Sequence, residues 1–420
     1  MNRREFIGGA VSAAAFLAAR RSCAWCTWEH GHTRSKLPAG VDRDPLVSFQ
    51  LPYDDPRRRQ NQFIPAAPAD ANRFTFGSDG SFTFFHLSDM HEELAKIGDR
   101  ERVFFAKMCE KFRPSLAILT GDNVNHRCKG LFEEAAGTVV RLFTDEKVPF
   151  AVTFGNHDTE VIGEGWYTAA EQWRFYRETG GRYFVDRRAP SVIGGGVSKI
   201  DVLDAGGKAG FNMCMLDSGD YGPADNPPVV TNVPAPEGSW PSAFDSVRSP
   251  QVAWARRTLA GGVPSLFFQH IVVPEIRDRM GRGLFIPVDE GDKTGVRLDY
   301  FGQRPVKVNP RRGKGVLGEG LGSVTVEKSR HPIYLDGGES IYEVWRGAEN
   351  FRGAYFGHDH KNYFDGTTDE GVRLGITKTM SRCAYNDGDL GLRVFRIMRD
   401  GTYFTDVFTE KHPHGCSAAV

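Results

Sequence analysis

The chain has 420 residues with 53 Lys+Arg against 53 Asp+Glu, and its 25% charged and 40% hydrophobic content belongs to a globular protein with a sizeable core. Zero formal charge removes the global electrostatic argument for nucleic acid or an anionic membrane as partner. The 48 glycines and 23 prolines follow no period, which excludes collagen-like and solenoid folds and leaves a loop-rich one.

At the N-terminus, Arg3 and Arg4 directly precede a short apolar run from Phe6 to Ala19, and Ser22-Cys23-Ala24 offers a small-residue cleavage site. The run falls short of the roughly 20 apolar residues that span a bilayer. Its charged lead and apolar body are those of an export signal. Because Glu5-Phe6-Ile7 follows the arginine pair, the segment resembles a twin-arginine signal, which exports folded proteins. Residues 1–26 are therefore expected to be an export signal that engages the twin-arginine export machinery, with an ordinary secretory signal as the rival. The mature chain is expected to be periplasmic or secreted, with no integral membrane segment. Seven cysteines are too few for a disulfide scaffold, and Cys23 and Cys26 have no second CxxC with which to complete a zinc site.

Residues 27–79 read as an N-terminal extension or linker, with Pro52, Pro56, Pro65 and Pro68 and the charged stretch from Asp54 to Arg59. A strand is predicted over Phe82 to Leu87, helical spacing through about Phe112, a strand from Ser115 to Thr120, a helix from Leu131 to Phe143 and a strand from Pro149 to Phe154. Strands alternating with helices imply βαβ units and a largely parallel sheet. Further apolar runs occur at Phe211 to Leu216, Leu266 to Gln269 and Ala354 to Phe356, and strand-rich sequence follows Tyr363. The Gly/Pro-rich stretch 218–249 and the Gly/Arg/Lys-rich stretch 278–330 read as long insertions. The domain so outlined runs over 80–411, with a tail at 412–420.

Chemistry-bearing residues sit where these strands end. Asp89-Met90-His91 follows the first, Gly121-Asp122-Asn123 the second and Gly155-Asn156-His157-Asp158 the third, while later apolar runs end in His270 and in Gly357-His358-Asp359-His360. The carboxyl ends of strands in an open α/β sheet line its ligand crevice, so the five clusters are expected to converge. Carboxylate, imidazole and amide oxygen are ligands for borderline divalent metals. Two carboxylates would leave a pair of divalent ions net positive, a site suited to a phosphate dianion and its in-line displacement. Glycines before Asp122, Asn156 and His358 are expected to let the backbone turn sharply off each strand. Any one cluster is a common turn sequence, and it is the ordered set of five that carries the inference.

The motifs HLSDMH, ILTGDN, TFGNHD, FFQHIVVPE and YFGHDH resemble those of the calcineurin-like metallophosphoesterase superfamily, and within it the purple-acid-phosphatase-related branch. The resemblance covers about Phe82 to Phe408, insertions excepted. It implies an α/β fold, a four-layer αββα sandwich with long loop insertions, holding two divalent metal ions (Mn, Fe or Zn). By that resemblance one ion is held by Asp89, His91 and His360 and the other by Asn156, His270 and His358. Asp122 bridges the two ions, while His157 contacts the phosphate and protonates the leaving group. The implied function is an exported phosphoester hydrolase, acting on a monoester or diester by direct attack of metal-activated hydroxide. The alternatives are a nuclease or cyclic-nucleotide phosphodiesterase on the same site, or a non-catalytic extracellular binding protein. The absence of a basic face argues against the nuclease.

One departure separates the chain from the purple enzymes: their ferric-ligating tyrosine, three residues past the bridging aspartate, is replaced by Asn125, so no ferric-tyrosinate centre is expected. His91, in contrast, matches the wider superfamily. Among neighbouring residues, His126 reads as a solvated loop residue, His86 as a packed core histidine, and His412 and His414 as part of a mobile tail. Arg311, Arg312 and Lys314 read as a solvated charge run, and the role of Asp158 is open.

Overall fold

Alternation along the strands decides how the chain is layered. The computed structural model describes residues 72–92, 97–124, 132–158, 167, 169–189, 195–219, 246–273, 275, 285–287, 296–297, 306–307, 340–360, 363–368, 370–382 and 388–413. On β2 (Ser81–Leu87), Phe82 and Phe84 enter one buried cluster and Phe85 and Leu87 another. β3 (Leu116–Thr120) repeats this with Leu116 and Ile118 against Ala117 and Leu119, and β4 (Phe150–Thr153) with Ala151 against Phe150 and Val152. A strand buried on both faces must be covered twice, and here one cover is helical and the other is a second sheet.

The helical cover consists of α1 (Asp99–Phe112), α2 (Phe132–Asp145) and α3 (Ala169–Gly180), which supply Phe105, Val139, Phe143, Trp173 and Tyr176 to that cluster. The second sheet contains β6 (Ala209–Met215), β7 (Ser265–Gln269) and β11 (Phe351–Phe356), which turn Met213, Phe268 and Tyr355 toward the first. Their other faces, carrying Cys214, Phe267 and Ala354, lie under α4 (Ser249–Ala260) and α5 (Ile341–Arg346). Three buried clusters therefore separate four layers, helix, sheet, sheet and helix, as the metallophosphoesterase resemblance implies. Between the sheets Phe84 stacks on Phe395 at 4.8 Å, and Phe268 meets both rings edge-on at 5.8 and 5.5 Å. Such pairs add about 0.5–1.5 kcal/mol each beyond their area and hold the sheets in fixed register.

The remaining strands are β1 (Phe74–Thr75), β5 (Ser198–Leu203), β8 (Phe285–Pro287), β9 (Val296–Arg297), β10 (Val306–Lys307), β12 (Phe364–Thr368), β13 (Arg373–Ile376), β14 (Gly391–Met398) and β15 (Tyr403–Thr409). One sheet runs β1-β5-β6-β7-β11-β13-β12-β8 and the other β15-β14-β2-β3-β4, while β9 and β10 pair by themselves. Parallel pairing is confined to β2-β3-β4, to β6-β7-β11-β13 and to the β1-β5 edge. The expectation of a largely parallel sheet is thus corrected to two mixed sheets. The reason is local: short turns with Gly207 (φ 79°) and Gly401 (φ 84°) join β5 to β6 and β14 to β15, and a tight turn can only return a strand antiparallel.

β1 lies inside the stretch expected to be linker. Phe74 and Phe76 are buried there, so residues 72–79 belong to the fold. Helices α3, α4 and α5 and strand β5 were not predicted, and α4 begins where the first insertion was expected to end. Cys109 and Cys214 are buried free thiols, and the other cysteines lie outside the described residues. Also outside them are residues 1–26, expected to be an export signal, residues Asn125, His126 and His414, the Arg311 to Lys314 run, and most of both insertions. Among the described residues, no helix is long and apolar enough to cross a membrane.

Candidate metal centre

Five loops leave the carboxyl ends of β2, β3, β4, β7 and β11 and meet between the two sheets, as the topology predicts. The first three come from one sheet and the last two from the other. Main-chain bonds lash the loops together: Asp89 N–H donates to the Gly121 carbonyl at 3.0 Å, His91 N–H to the Asp122 carbonyl at 2.8 Å, and Gly357 N–H to the His270 carbonyl at 3.1 Å.

Within this knot the donor atoms of Asp89, His91, Asp122 and His360 lie within 4.8 Å of one another, and so do those of Asp122, His270 and His358. His360 Nε2 is 3.2 Å from Asp89 Oδ1 and 3.0 Å from His91 Nε2. His270 Nε2 is 3.2 Å from Asp122 Oδ2, 3.2 Å from Asn156 Oδ1 and 3.3 Å from His358 Nδ1. All seven residues expected to be ligands are thus brought together, in two groups that share Asp122 and that each draw on both sheets.

The orientation of the His270 ring follows from its other nitrogen. Nδ1 lies 2.9 Å from the Thr120 carbonyl, which can only accept, so Nδ1 carries a proton and Nε2 is the nitrogen turned to the ligand cluster. Nε2 faces a carboxylate oxygen and an amide oxygen. Burial alone would depress His270, but the Asp122, Asp89 and Asp158 carboxylates outweigh it and raise its pKa to about 9, so the ring is held charged with a proton on Nε2 as well, and a cation taken up here would displace that proton. Burial likewise opposes ionisation of Asp89 and Asp122, yet His360 and His270 hold Asp89 below the usual carboxylate range, and His270 and His157 hold Asp122 well below it. His91 is lowered by burial and His360, and His358 falls to about 3 through burial and His270, so both keep neutral rings able to coordinate. Ionised carboxylates, an amide oxygen and imidazoles, without thiolate, fit Mn, Fe or Zn.

His157 stands at the rim. Its N–H donates to Asp122 Oδ1 at 2.8 Å, and its Nε2 is 4.0 Å from Asp122 Oδ2. Its side chain is 15% exposed, against 5%, 0% and 3% for His91, His270 and His360, so with the partly buried His358 it forms the side of the centre that opens toward solvent.

The local backbone is unusual where the ligands sit. Among the described residues six non-glycine residues have positive φ, and four are candidate ligands: Asp89 (57°), His91 (44°), Asp122 (50°) and His358 (71°). Asp and His tolerate this region better than most residues, yet sparsely populated backbone costs about 1–3 kcal/mol and persists only where surroundings enforce it. The glycines divide in role. Gly121 does adopt φ 96°, but Gly155 and Gly357 are needed for space. A Cβ on Gly155 would lie 2.3 Å from Asp122 Oδ1, and one on Gly357 1.7 Å from Ser88 Oγ.

Comparison with known proteins bears on this knot. Residues 82–243 match the calcineurin-like phosphoesterase family model. No curated protein sequence matches the chain. Among solved structures the chain is similar to TT1561 of Thermus thermophilus (11% identity, TM-score 0.33, 77% of this chain and 97% of that one). It is also similar to a phosphatase of Mycoplasma pneumoniae (10% identity, TM-score 0.35, 78% and 93%) and to GAP50, the anchor in the inner membrane complex of Plasmodium (11% identity, TM-score 0.32, 79% and 86%). The calcineurin-like phosphoesterase match contains the Asp89, Asp122 and Asn156 motifs and stops short of His270, His358 and His360, which the fold brings to the same site.

Two site residues were not assigned from sequence. Asp158, whose role was open, clamps two ligand loops: Oδ1 accepts from the N–H groups of Asn123 at 3.0 Å and Val124 at 3.2 Å, and Oδ2 accepts from Gly155 at 2.8 Å. Burial and then repulsion from Asp122 push its pKa up to about 7. The other, Thr379, belongs to no motif and could not have been found from spacing. His86 is the packed core histidine expected, with its two nitrogens 2.8 and 2.7 Å from the Thr120 and Thr377 hydroxyls.

Because the missing Cβ of Gly155 leaves room for both Asp122 and His270, Gly155→Ala is expected to displace these two side chains while leaving the interlayer clusters in place. Far-ultraviolet circular dichroism should be unchanged, and calorimetric titration with Mn²⁺ should show both sites weakened. Wild-type binding in this variant would show that the contact relaxes at no cost to the centre.

Proposed function

We propose that the chain is an exported hydrolase of phosphate monoesters or diesters that works with two divalent metal ions. The observation that carries this reading is Asp122, one buried carboxylate belonging to two donor groups. Asp89, His91 and His360 would hold one ion with it, and Asn156, His270 and His358 the other. The phosphoesterase family match over residues 82–243 supports the substrate class. When bound, such ions supply concentrated positive charge for a phosphate dianion and lower the pKa of a water.

The chain's own residues divide the remaining work. Asp122 is kept ionised by its imidazole neighbours, so it lends negative charge to both positions. His157, with its backbone anchored on Asp122 and its ring at the open rim, is placed to meet a phosphate oxygen and to pass a proton to the departing alcohol. Export rests on Arg3 and Arg4 ahead of the apolar run, and a chain delivered already folded would carry its centre preassembled.

If Asp122 serves both positions, Asp122→Ala should lose both metals together, since each group is left with fewer ligands and the pair without its shared charge. Elemental analysis of the purified variant decides it, and two metals retained per chain would refute the assignment. His157→Ala should keep its metals and lose about 10²- to 10⁴-fold in turnover of esters with poor leaving groups, with a smaller loss for an activated aryl phosphate. Equal losses on both substrates would assign His157 to phosphate binding rather than proton transfer. Replacing Arg3 and Arg4 by Lys should retain folded precursor in the cytoplasm, and undiminished export of that variant would favour the general secretory route.

A further inference from the structure

Between β13 in one sheet and β14 in the other, the chain crosses the end of the sandwich, and the crossover passes through the knot of ligand loops. Thr377, Lys378, Thr379, Met380 and Ser381 are all buried there. Thr379 stands between two ligand loops that come from different sheets. Its Oγ1 donates to the carbonyl of Asp89 at 2.7 Å and accepts from Ser381 N–H at 3.2 Å, and its own N–H approaches the His360 carbonyl at 3.4 Å. The next residue continues the stitch, with Met380 N–H donating to the Ser88 carbonyl at 3.1 Å.

On the reading that two metals occupy this centre, we propose that Thr379 is a positioning residue for one of them, the ion of the Asp89, His91, Asp122 and His360 group. Asp89 is held at φ 57°, a conformation that turns its carbonyl off the line of β2. The Thr379 hydroxyl is the partner that receives the turned carbonyl, so it secures the backbone geometry that aims the Asp89 carboxylate. Through its main chain the same residue reaches the loop of His360, whose Nε2 is 3.2 Å from Asp89 Oδ1. Thr379 therefore couples the only ligand which the eight-stranded sheet gives to this group to a ligand from the other sheet. No hydrogen bond of Thr379 falls on Asn156, His270 or His358, so its direct effect is on one of the two ions, and it reaches the other only through the Asp89 carboxylate, which accepts from the His358 N–H at 3.0 Å. Partners one shell out from a metal typically govern about 10- to 100-fold of its affinity.

Full-length Thr379→Val, Thr379→Ser and wild-type protein, stripped of metal, would be titrated calorimetrically with Mn²⁺. Wild type is expected to take up two ions. In Thr379→Val, which keeps the side-chain shape and loses the hydroxyl, one site should weaken about 10- to 100-fold while the other weakens distinctly less, and Thr379→Ser should restore the pair. If valine prevents folding, Thr379→Ala compared with Thr379→Ser makes the same test. Two wild-type affinities in the Val or Ala variant would overturn the positioning role while leaving the two-metal reading intact. Equal weakening of both sites, or an equal loss in the Ser variant, would assign Thr379 to packing alone. Absence of paired binding in wild type would overturn both this proposal and the functional reading beneath it.

Discussion

Two carboxylates that are almost wholly excluded from water, Asp89 and Asp122, lie at the seam between two sheets and face the imidazoles of His91, His270, His358 and His360. Burial of an unpaired carboxylate is expensive, and a buried charge persists only where opposite charge or dense hydrogen bonding meets it. Here the partners come from both sheets, so the carboxylates can stay ionised only if the sheets are in register. The electrostatics of the centre and the stacking of the sandwich are one constraint seen from two sides. Divalent cations would convert this concentration of lone pairs into cross-links, and their binding would stabilise the folded chain by mass action.

Register is kept by the hydrophobic interior directly beneath. Phe84, Phe268, Tyr355 and Phe395 fill the space between the sheets with rings that meet stacked or edge-on. Above them a polar chain leads to the site: His86 bridges the Thr120 and Thr377 hydroxyls, and the Thr120 carbonyl fixes the orientation of the His270 ring. Burial and the nearby Arg393 keep His86 far below its ordinary pKa, so it serves as a neutral linker and adds no charge to the centre. The backbone strain at Asp89, His91, Asp122 and His358 is tolerated on such a base, because each of these residues is held by bonds to a neighbouring loop.

Much of the site was legible in the one-dimensional pattern. An apolar run followed at once by Gly, Asp, Asn or His marks a strand whose carboxyl end carries function, and both the period-2 alternation and the βαβ spacing follow from local geometry. That is why β2, α1, β3, α2 and β4 were read nearly as they stand, and why the five donor-bearing clusters could be named, the seven ligands among them following from the resemblance. Four layers followed from resemblance, and the clusters on either face of β2 and β3 supply their physical reason.

What the chain order could not contain is which atoms meet across it. His270 and His360 lie well over a hundred residues from Asp122, beyond long insertions, and their approach depends on how two separate sheets pack face to face. The space that Gly155 and Gly357 leave, the clamp made by Asp158 and the stitch made by Thr379 depend on the same packing, because each is a contact between loops of different strands. The antiparallel edges escaped for a related reason, since an apolar run states that a strand is buried without stating its direction. Sequence by itself determined the kinds of donor and the strand ends that bear them. Tertiary structure alone decided their grouping around Asp122, because a donor set is defined by distances of a few ångströms, and only the packing of the two sheets sets those.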